Sequence, residues 1–180
     1  MRCAEPSARR TPPARRSARL AGMITVRTFA ELSAAELWGI LHLRSSIFVV
    51  EQDCVYLDPD TADFADGTLH AFIGDDPLYP HSYARLLPIG WPDEHLPTHV
   101  SRPIGRVVTA ESSRGLGYSA QIIRHLVEIA ESEGLSTSLN GQAHLESWYA
   151  RFGFERCGEN FMEDDIPHVP MVKYTSSPDS

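Results

Sequence analysis

The strand-like run Val107-Val108-Thr109 leads through Ala110-Glu111-Ser112-Ser113 into Arg114-Gly115-Leu116-Gly117-Tyr118-Ser119, and then into a helical pattern. Glycines let a backbone approach an anion closely. A helix start adds unpaired N–H groups and the positive end of its dipole. Arg114 supplies a charged donor. A pyrophosphate suits such a turn, although a purely structural strand-to-helix connection reads the same way. The neighbouring residues sort the nucleotide alternatives. A dinucleotide fingerprint needs G-x-G-x-x-G, and the third glycine is missing. An ATPase-type phosphate loop needs Gly-Lys-Ser/Thr, and the only lysine is Lys173.

The elements that must position this turn follow from periodicity. Ile24 to Phe29 alternates and predicts a strand. Ser33 is an N-cap with Glu36 as its capping-box partner, and Leu37, Ile40, Leu41 and Arg44 follow at helical spacing. A second short helix is expected over Ser46 to Glu51, then an acidic loop from Pro59 to Gly67. Leu69–Ile73 and Ser82–Leu87 predict two strands around a turn with Pro77 and Pro80. Residues 88–103 hold four prolines and predict a long loop before a strand at Ile104–Thr109. Ile122, Ile123, Leu126, Val127, Ile129 and Ala130 form the apolar face of the helix after the glycine turn, and Gly134 ends it. Leu135–Asn140 predicts a strand and Leu145–Arg151 a short helix ending at Gly153. Phe154–Cys157 and His168–Tyr174 complete the strands. The order predicts an α/β arrangement, a mixed sheet with helices on both faces.

Composition narrows the function classes. The formal net charge is -8, yet residues 1–22 carry six arginines and one glutamate, leaving the remainder at -13. So acidic a body is a poor match for nucleic acid, so no nucleic-acid partner is expected. No apolar run reaches the length of a membrane span, so no membrane partner is expected either. Three cysteines, Cys3, Cys54 and Cys157, with no paired spacing, argue against a disulfide scaffold and for a reducing cytoplasmic setting. Cys54 and Cys157 read as ordinary core or half-buried thiols. Residues 1–22 read as a disordered extension, with Met23 as a true or alternative start, residues 23–175 as a single domain, and 176–180 as a disordered tail. An organelle transit peptide would have the same Arg-rich character.

Several blocks then point the same way. The turn fits the pattern Arg/Gln-x-x-Gly-x-Gly/Ala, with Arg114 first and Gly117 fourth; Ser119 stands where glycine or alanine is usual. The blocks Leu43-Arg44, Ile47-Phe48-Val49-Val50-Glu51-Gln52, Gly105-Arg106-Val107-Val108 and Gln142-Ala143-His144-Leu145 follow in order. Tyr149-Ala150-Arg151-Phe152-Gly153-Phe154 and Glu163-Asp164-Asp165-Ile166-Pro167-His168 complete the series. Across residues 24–174 the chain resembles the GNAT superfamily of N-acetyltransferases in its ElaA-like branch. Asp165 departs from the family's usual glycine. The resemblance implies the GNAT acyl-CoA N-acyltransferase fold, with a central mixed, mostly antiparallel sheet of about seven strands flanked by helices. It also implies acetyl-CoA as acyl-donor cosubstrate. Arg114, Gly115, Leu116, Gly117, Tyr118 and Ser119 would hold the pyrophosphate, and the backbone of Val107, Val108 and Thr109 would pair with the pantetheine.

The implied reaction is direct attack of an amine on the thioester. It needs a base, an oxyanion donor and an acid for the thiolate. The resemblance places Tyr149 at the thioester sulfur; packing against Trp148, Phe152 and Phe154 is the alternative. Two side chains are candidate bases. His144 has the neutral-range chemistry and opens the helix of Tyr149, though a lone histidine is often structural. Glu51 follows the apolar Phe48-Val49-Val50, where burial would make it basic; an ion pair with Arg44 or Arg106 is the competing reading. Glu163, Asp164 and His168 could line the amine site instead, or a water chain could serve as base. His95 and His99 have a ligand-like spacing, but Pro97 prevents a helix and no metal is expected. The run Asp58 to Asp66 reads as a solvated loop able to draw a cation toward the cleft. The acceptor is a small-molecule amine or a peptide, and a homodimer is the default assembly. Two other classes compete: a catalytically silent acyl-CoA-binding sensor or scaffold, and an acyl-homoserine lactone synthase, for whose S-adenosylmethionine site no residues are found.

Overall fold

The computed structural model describes residues 22–175. The expected disordered extension therefore lies, save Gly22, outside the described residues, as does the 176–180 tail. Strand β1 is only Thr25–Arg27, shorter than the alternation predicts. The Thr28 backbone N–H and hydroxyl both donate to Glu31, at 2.8 and 2.9 Å, and this winds Phe29–Glu31 into a 3-10 turn. Helix α1, Ala34–Arg44, starts as expected: Glu36 N–H donates to Ser33 Oγ, and Ser33 N–H to Glu36 Oε2. It runs directly into a π-helical segment, Ser45–Glu51, where a separate short helix is predicted. Such widened turns concentrate at functional sites.

Then come β2 (Leu69–Ile73), β3 (Ser82–Leu86), β4 (Ser101–Thr109), α2 (Tyr118–Ser132), β5 (Ser136–Gln142), α3 (Glu146–Ala150), β6 (Glu155–Arg156), β7 (Phe161–Glu163) and β8 (Ile166–Lys173). Strands β1 to β4 are antiparallel neighbours, β4 and β5 are parallel, and β8 pairs antiparallel with β5, β6 and β7. The eighth strand, absent from the sequence reading, is β7. It turns into β8 through Asp164 and Asp165, both left-handed at φ 50° and 60°. Hairpin turns of this kind usually announce themselves with glycine, and two aspartates hide the signal.

Alternation along the strands sorts side chains to two faces. Ala71, Ile73, Ala84 and Leu86 pack under α2 residues Ile122, Ile123 and Leu126. Phe72, Tyr83 and Val108 point the other way, against Ile40, Leu43 and Ile47. Helices thus cover both faces. Gly134, at φ 74°, ends α2, as Leu135 N–H reaches back to Ala130 O. Among the described residues no helix is long and apolar enough to cross a membrane.

Two irregularities open the sheet. β4 and β5 pair only over Ser101–Pro103 against Ser136–Ser138. From Ile104 to Thr109 the β4 edge facing β5 has no strand partner among the described residues, so the strands splay. β4 also bulges: Tyr83 pairs with Val108 but Arg85 with Gly105, so Arg106 and Val107 share one partner residue, and Arg106 adopts φ 53°.

Candidate active site

The splay opens a cavity of about 560 Å³, walled by Val107, Val108 and Thr109 of β4, Leu139 and Gln142 of β5, Tyr149 of α3, and Arg114. The unpaired β4 edge leaves backbone groups free to meet an extended, amide-bearing chain.

Beside that edge lies the glycine turn. Gly115 and Gly117 are left-handed at φ 76° and 79°, and a Cβ on either would touch nothing. Conformation, not space, requires glycine there. Gly117 is the N-cap of α2, and among the described residues no side chain caps the helix. Its first-turn N–H groups therefore lack a side-chain partner, which makes an anion site. The Ser119 hydroxyl is turned toward the sheet. Ser82 Oγ donates to Val108 O at 2.8 Å, so at 3.0 Å it accepts from Thr109 Oγ1. Thr109 then accepts from Ser119 Oγ at 2.8 Å. The Ser119 proton is committed to the sheet.

Arg114 lines the cavity and is itself paired. Its Nη2 donates to both carboxylate oxygens of Glu51, at 2.7 and 2.8 Å. The Glu51 side chain is 41% exposed, so it is not the buried acid that the apolar Phe48-Val49-Val50 run suggests. Nor does it pair with Arg44 or Arg106, because both are engaged elsewhere.

What engages them corrects the reading of Asp58 to Asp66 as a solvated loop. Asp58 and Asp63 are buried. Arg44 donates to Asp58 and Asp63 at 2.8 and 2.7 Å, and Arg85 to Asp60 and Asp63, both at 2.7 Å. Arg106 donates to Asp58 and Asp60 at 2.9 and 3.1 Å. Asp60 also caps the 3-10 turn Thr61–Phe64, accepting from Ala62 N–H, and so turns the run inward. Burial disfavours the Asp63 carboxylate, but the Arg44 hydrogen bond and charge outweigh it and hold its pKa below the ordinary value. Three arginines from α1, β3 and the bulge are thus tied to one short acidic segment. Sequence reasoning missed this; the signal available was Arg85, the one charged residue of the strand Ser82–Leu86.

Tyr149 is 5% exposed. Its ring packs edge-on to Trp148 at 4.8 Å and to Phe154 at 6.1 Å, while Phe152 packs on Trp148. The ring edge presses on Gly141, where a Cβ would sit 2.9 Å from Tyr149 Cε2. The aromatic packing and a wall position in the cavity therefore hold together. Burial pushes the phenol pKa up, so it keeps its proton. Among the described residues no group hydrogen-bonds its hydroxyl.

His144 is exposed and outside the cavity wall. Leu145 and Tyr149 line the cavity; His144 belongs to the 3-10 turn Ala143–Leu145 that leads into α3 and lies roughly 120° round from Leu145. Glu163, Asp164 and His168 do line the cavity, with Asp93 and Trp91, neither of which the sequence singled out. His95 stacks on Phe161 at 3.8 Å. Cys54 is partly buried, but Cys157 is exposed rather than a core thiol.

A mixed sheet with helices on both faces, splayed beside an uncapped glycine turn, is the acyl-CoA N-acyltransferase architecture. Residues 97–175 match the acetyltransferase (GNAT) domain family. Protein ElaA of Escherichia coli is 36% identical over 148 residues, 80% of this chain and 91% of that one. A UPF0039 protein of Synechocystis is 33% identical over 146 residues, 80% and 90% of the two chains. An acyl-CoA N-acyltransferase structure from Pseudomonas aeruginosa superposes with TM-score 0.76 at 34% identity, covering 85% of this chain and 99% of that one. The ElaA crystal structure superposes with TM-score 0.73 at 30% identity, covering 84% and 99%. The chain belongs to the GNAT acetyltransferases, in the ElaA-like family.

Proposed function

We propose that the protein transfers the acetyl group of acetyl-CoA to a primary amine by direct attack. One observation carries this reading: a single cavity is walled by the unpaired β4 edge, Arg114 and Tyr149. The turn from Arg114 to Ser119 would hold the pyrophosphate at the start of α2. The β4 edge at Val107, Val108 and Thr109 would pair with the pantetheine amides and offer an N–H to the tetrahedral oxyanion. The Tyr149 hydroxyl would hydrogen-bond the sulfur as the C–S bond lengthens and protonate the leaving thiolate. Neither of the catalytic bases expected from sequence is well placed, with His144 turned outward and Glu51 tied to Arg114.

CoA release with acetyl-CoA and a panel of mono-, di- and aromatic amines tests the reading. Turnover on at least one amine is expected. Tight CoA binding without turnover on any amine favours the sensor or scaffold alternative.

A further inference from the structure

We propose that His168 is the general base of this acyl transfer, acting through Nε2. The assignment rests on the acetyl-transfer reading above and adds the proton acceptor which that reading lacks.

His168 sits inside two ladders of β8, opposite Gln142 of β5 and Phe161 of β7, so its backbone is fixed from both sides. Its Nδ1 lies 2.9 Å from Ile166 O. A carbonyl can only accept, so Nδ1 carries the proton and Nε2 of the neutral ring carries the lone pair. The ring stacks on Phe161 at 5.9 Å, which holds its plane. Among the described residues nothing hydrogen-bonds Nε2, and His168 is part of the wall of the same cavity as Tyr149.

The other ionisable groups of that cavity are poorer bases. Arg85 and Arg106 are both tied to the Asp60 carboxylate, which is thereby taken, and Arg114 is tied to Glu51. The Tyr149 and Tyr56 phenols are pushed up by burial and keep their protons. Cys54 is turned onto Gln52 O at 3.5 Å. Asp93 accepts from His95 N–H, Leu96 N–H and Asn140. Glu163 and Asp164 form no ion pair among the described residues, and their negative charge favours the arrival of an ammonium. Nε2 of His168 is a nitrogen lone pair in the cavity wall that no group among the described residues takes up.

The step balances. The substrate ammonium gives a proton to Nε2, and its nitrogen lone pair attacks the thioester carbonyl carbon. The C–S bond breaks and the thiolate takes the Tyr149 proton. The new amide nitrogen sheds its remaining surplus proton, which restores the phenol. The net products are N-acetyl amine, CoA thiol and the proton held by His168, which passes to water.

His168→Asn tests this, because the Asn amide keeps the donor to Ile166 O and removes the base. With an amine that the parent acetylates, kcat should fall about 100-fold or more. The acetyl-CoA KM should stay within about twofold, and the acidic limb of kcat against pH should disappear. A kcat within about threefold of the parent, or a loss confined to the amine KM, overturns the assignment. Nitrogen-15 NMR of the ring tests it without turnover: protonated Nδ1 and bare Nε2 are expected near pH 8, and the opposite tautomer overturns it. If the parent acetylates no amine, the acetyl-transfer reading fails and the base assignment falls with it.

Discussion

Glu51 clasps Arg114 with both carboxylate oxygens, at 2.7 and 2.8 Å from one guanidinium nitrogen. This joins the end of the π-helical segment to the glycine turn. The Arg114 expected to meet a pyrophosphate already holds an anion, so an incoming phosphate must compete with Glu51. Both partners are over two-fifths exposed, and such pairs are worth about 0–1 kcal/mol. Glu51→Gln should therefore lower the acetyl-CoA KM by about two- to fivefold and leave kcat unchanged. Steady-state kinetics at low and high salt check this. A tenfold fall in kcat would return Glu51 to the role of base.

Tyr149→Phe removes one hydroxyl and keeps the ring packed on Trp148 and Phe154. We expect kcat to fall about 100-fold, with a smaller change in the acetyl-CoA KM and little change in melting temperature. Unchanged turnover would leave Tyr149 as packing alone.

Gly141→Ala places a methyl 2.9 Å from Tyr149 Cε2 and 3.1 Å from Leu139 Cδ1. Neither buried neighbour has slack, so the ring must shift. A loss of about 1–3 kcal/mol of stability is expected from overpacking, together with a fall in kcat. A variant with parental kcat would show that Tyr149 tolerates displacement.

Asp63→Asn takes the shared carboxylate from Arg44 and Arg85, both buried. Removing one partner of a buried pair leaves uncompensated charge, so a loss of about 3–5 kcal/mol is expected in denaturant unfolding. The loss should exceed that of Glu51→Gln severalfold.

The pH dependence of stability should have two stages. Burial holds the His70 imidazole below its ordinary 6.5; its Nε2 donates to Asp63 O and its Nδ1 accepts from Tyr83, which fixes the neutral form. A depressed folded pKa contributes stability above the unfolded pKa and loses it as pH falls. Unfolding free energy should therefore decline below pH 6.5, where the unfolded chain protonates and the folded one does not. Asp60 and Asp63, held below 3.8 by their arginines despite burial, add a second decline below that pH. Urea midpoints between pH 8 and 3 check both stages. His70→Gln should flatten the first, and a parental midpoint constant from pH 7 to 5 would exclude it.

Much of the fold was legible because it is written in local patterns. The Ser33–Glu36 cap, the α2 face and the Gly134 stop each depend on residues within a few positions of one another. The β7 hairpin was not legible, because Asp164 and Asp165 take a conformation usually marked by glycine. The acidic run misled because its composition matches a solvated loop. Its burial depends on arginines 14 to 48 residues away in sequence.

The sequence by itself determined the family, the glycine turn and the identity of Tyr149 as a candidate acid. The turn is a property of residue type and short spacing; the family and the role of Tyr149 are what the resemblance of the ordered motif blocks implies. The tertiary structure alone decided which titratable groups share the cleft. One helical step separates Leu145, which turns in, from His144, which turns out. Arg114 takes Glu51, whereas strand pairing carries His168 in from β8. Side-chain direction and long-range pairing fix those outcomes, and neither is set by the neighbours of a residue in sequence.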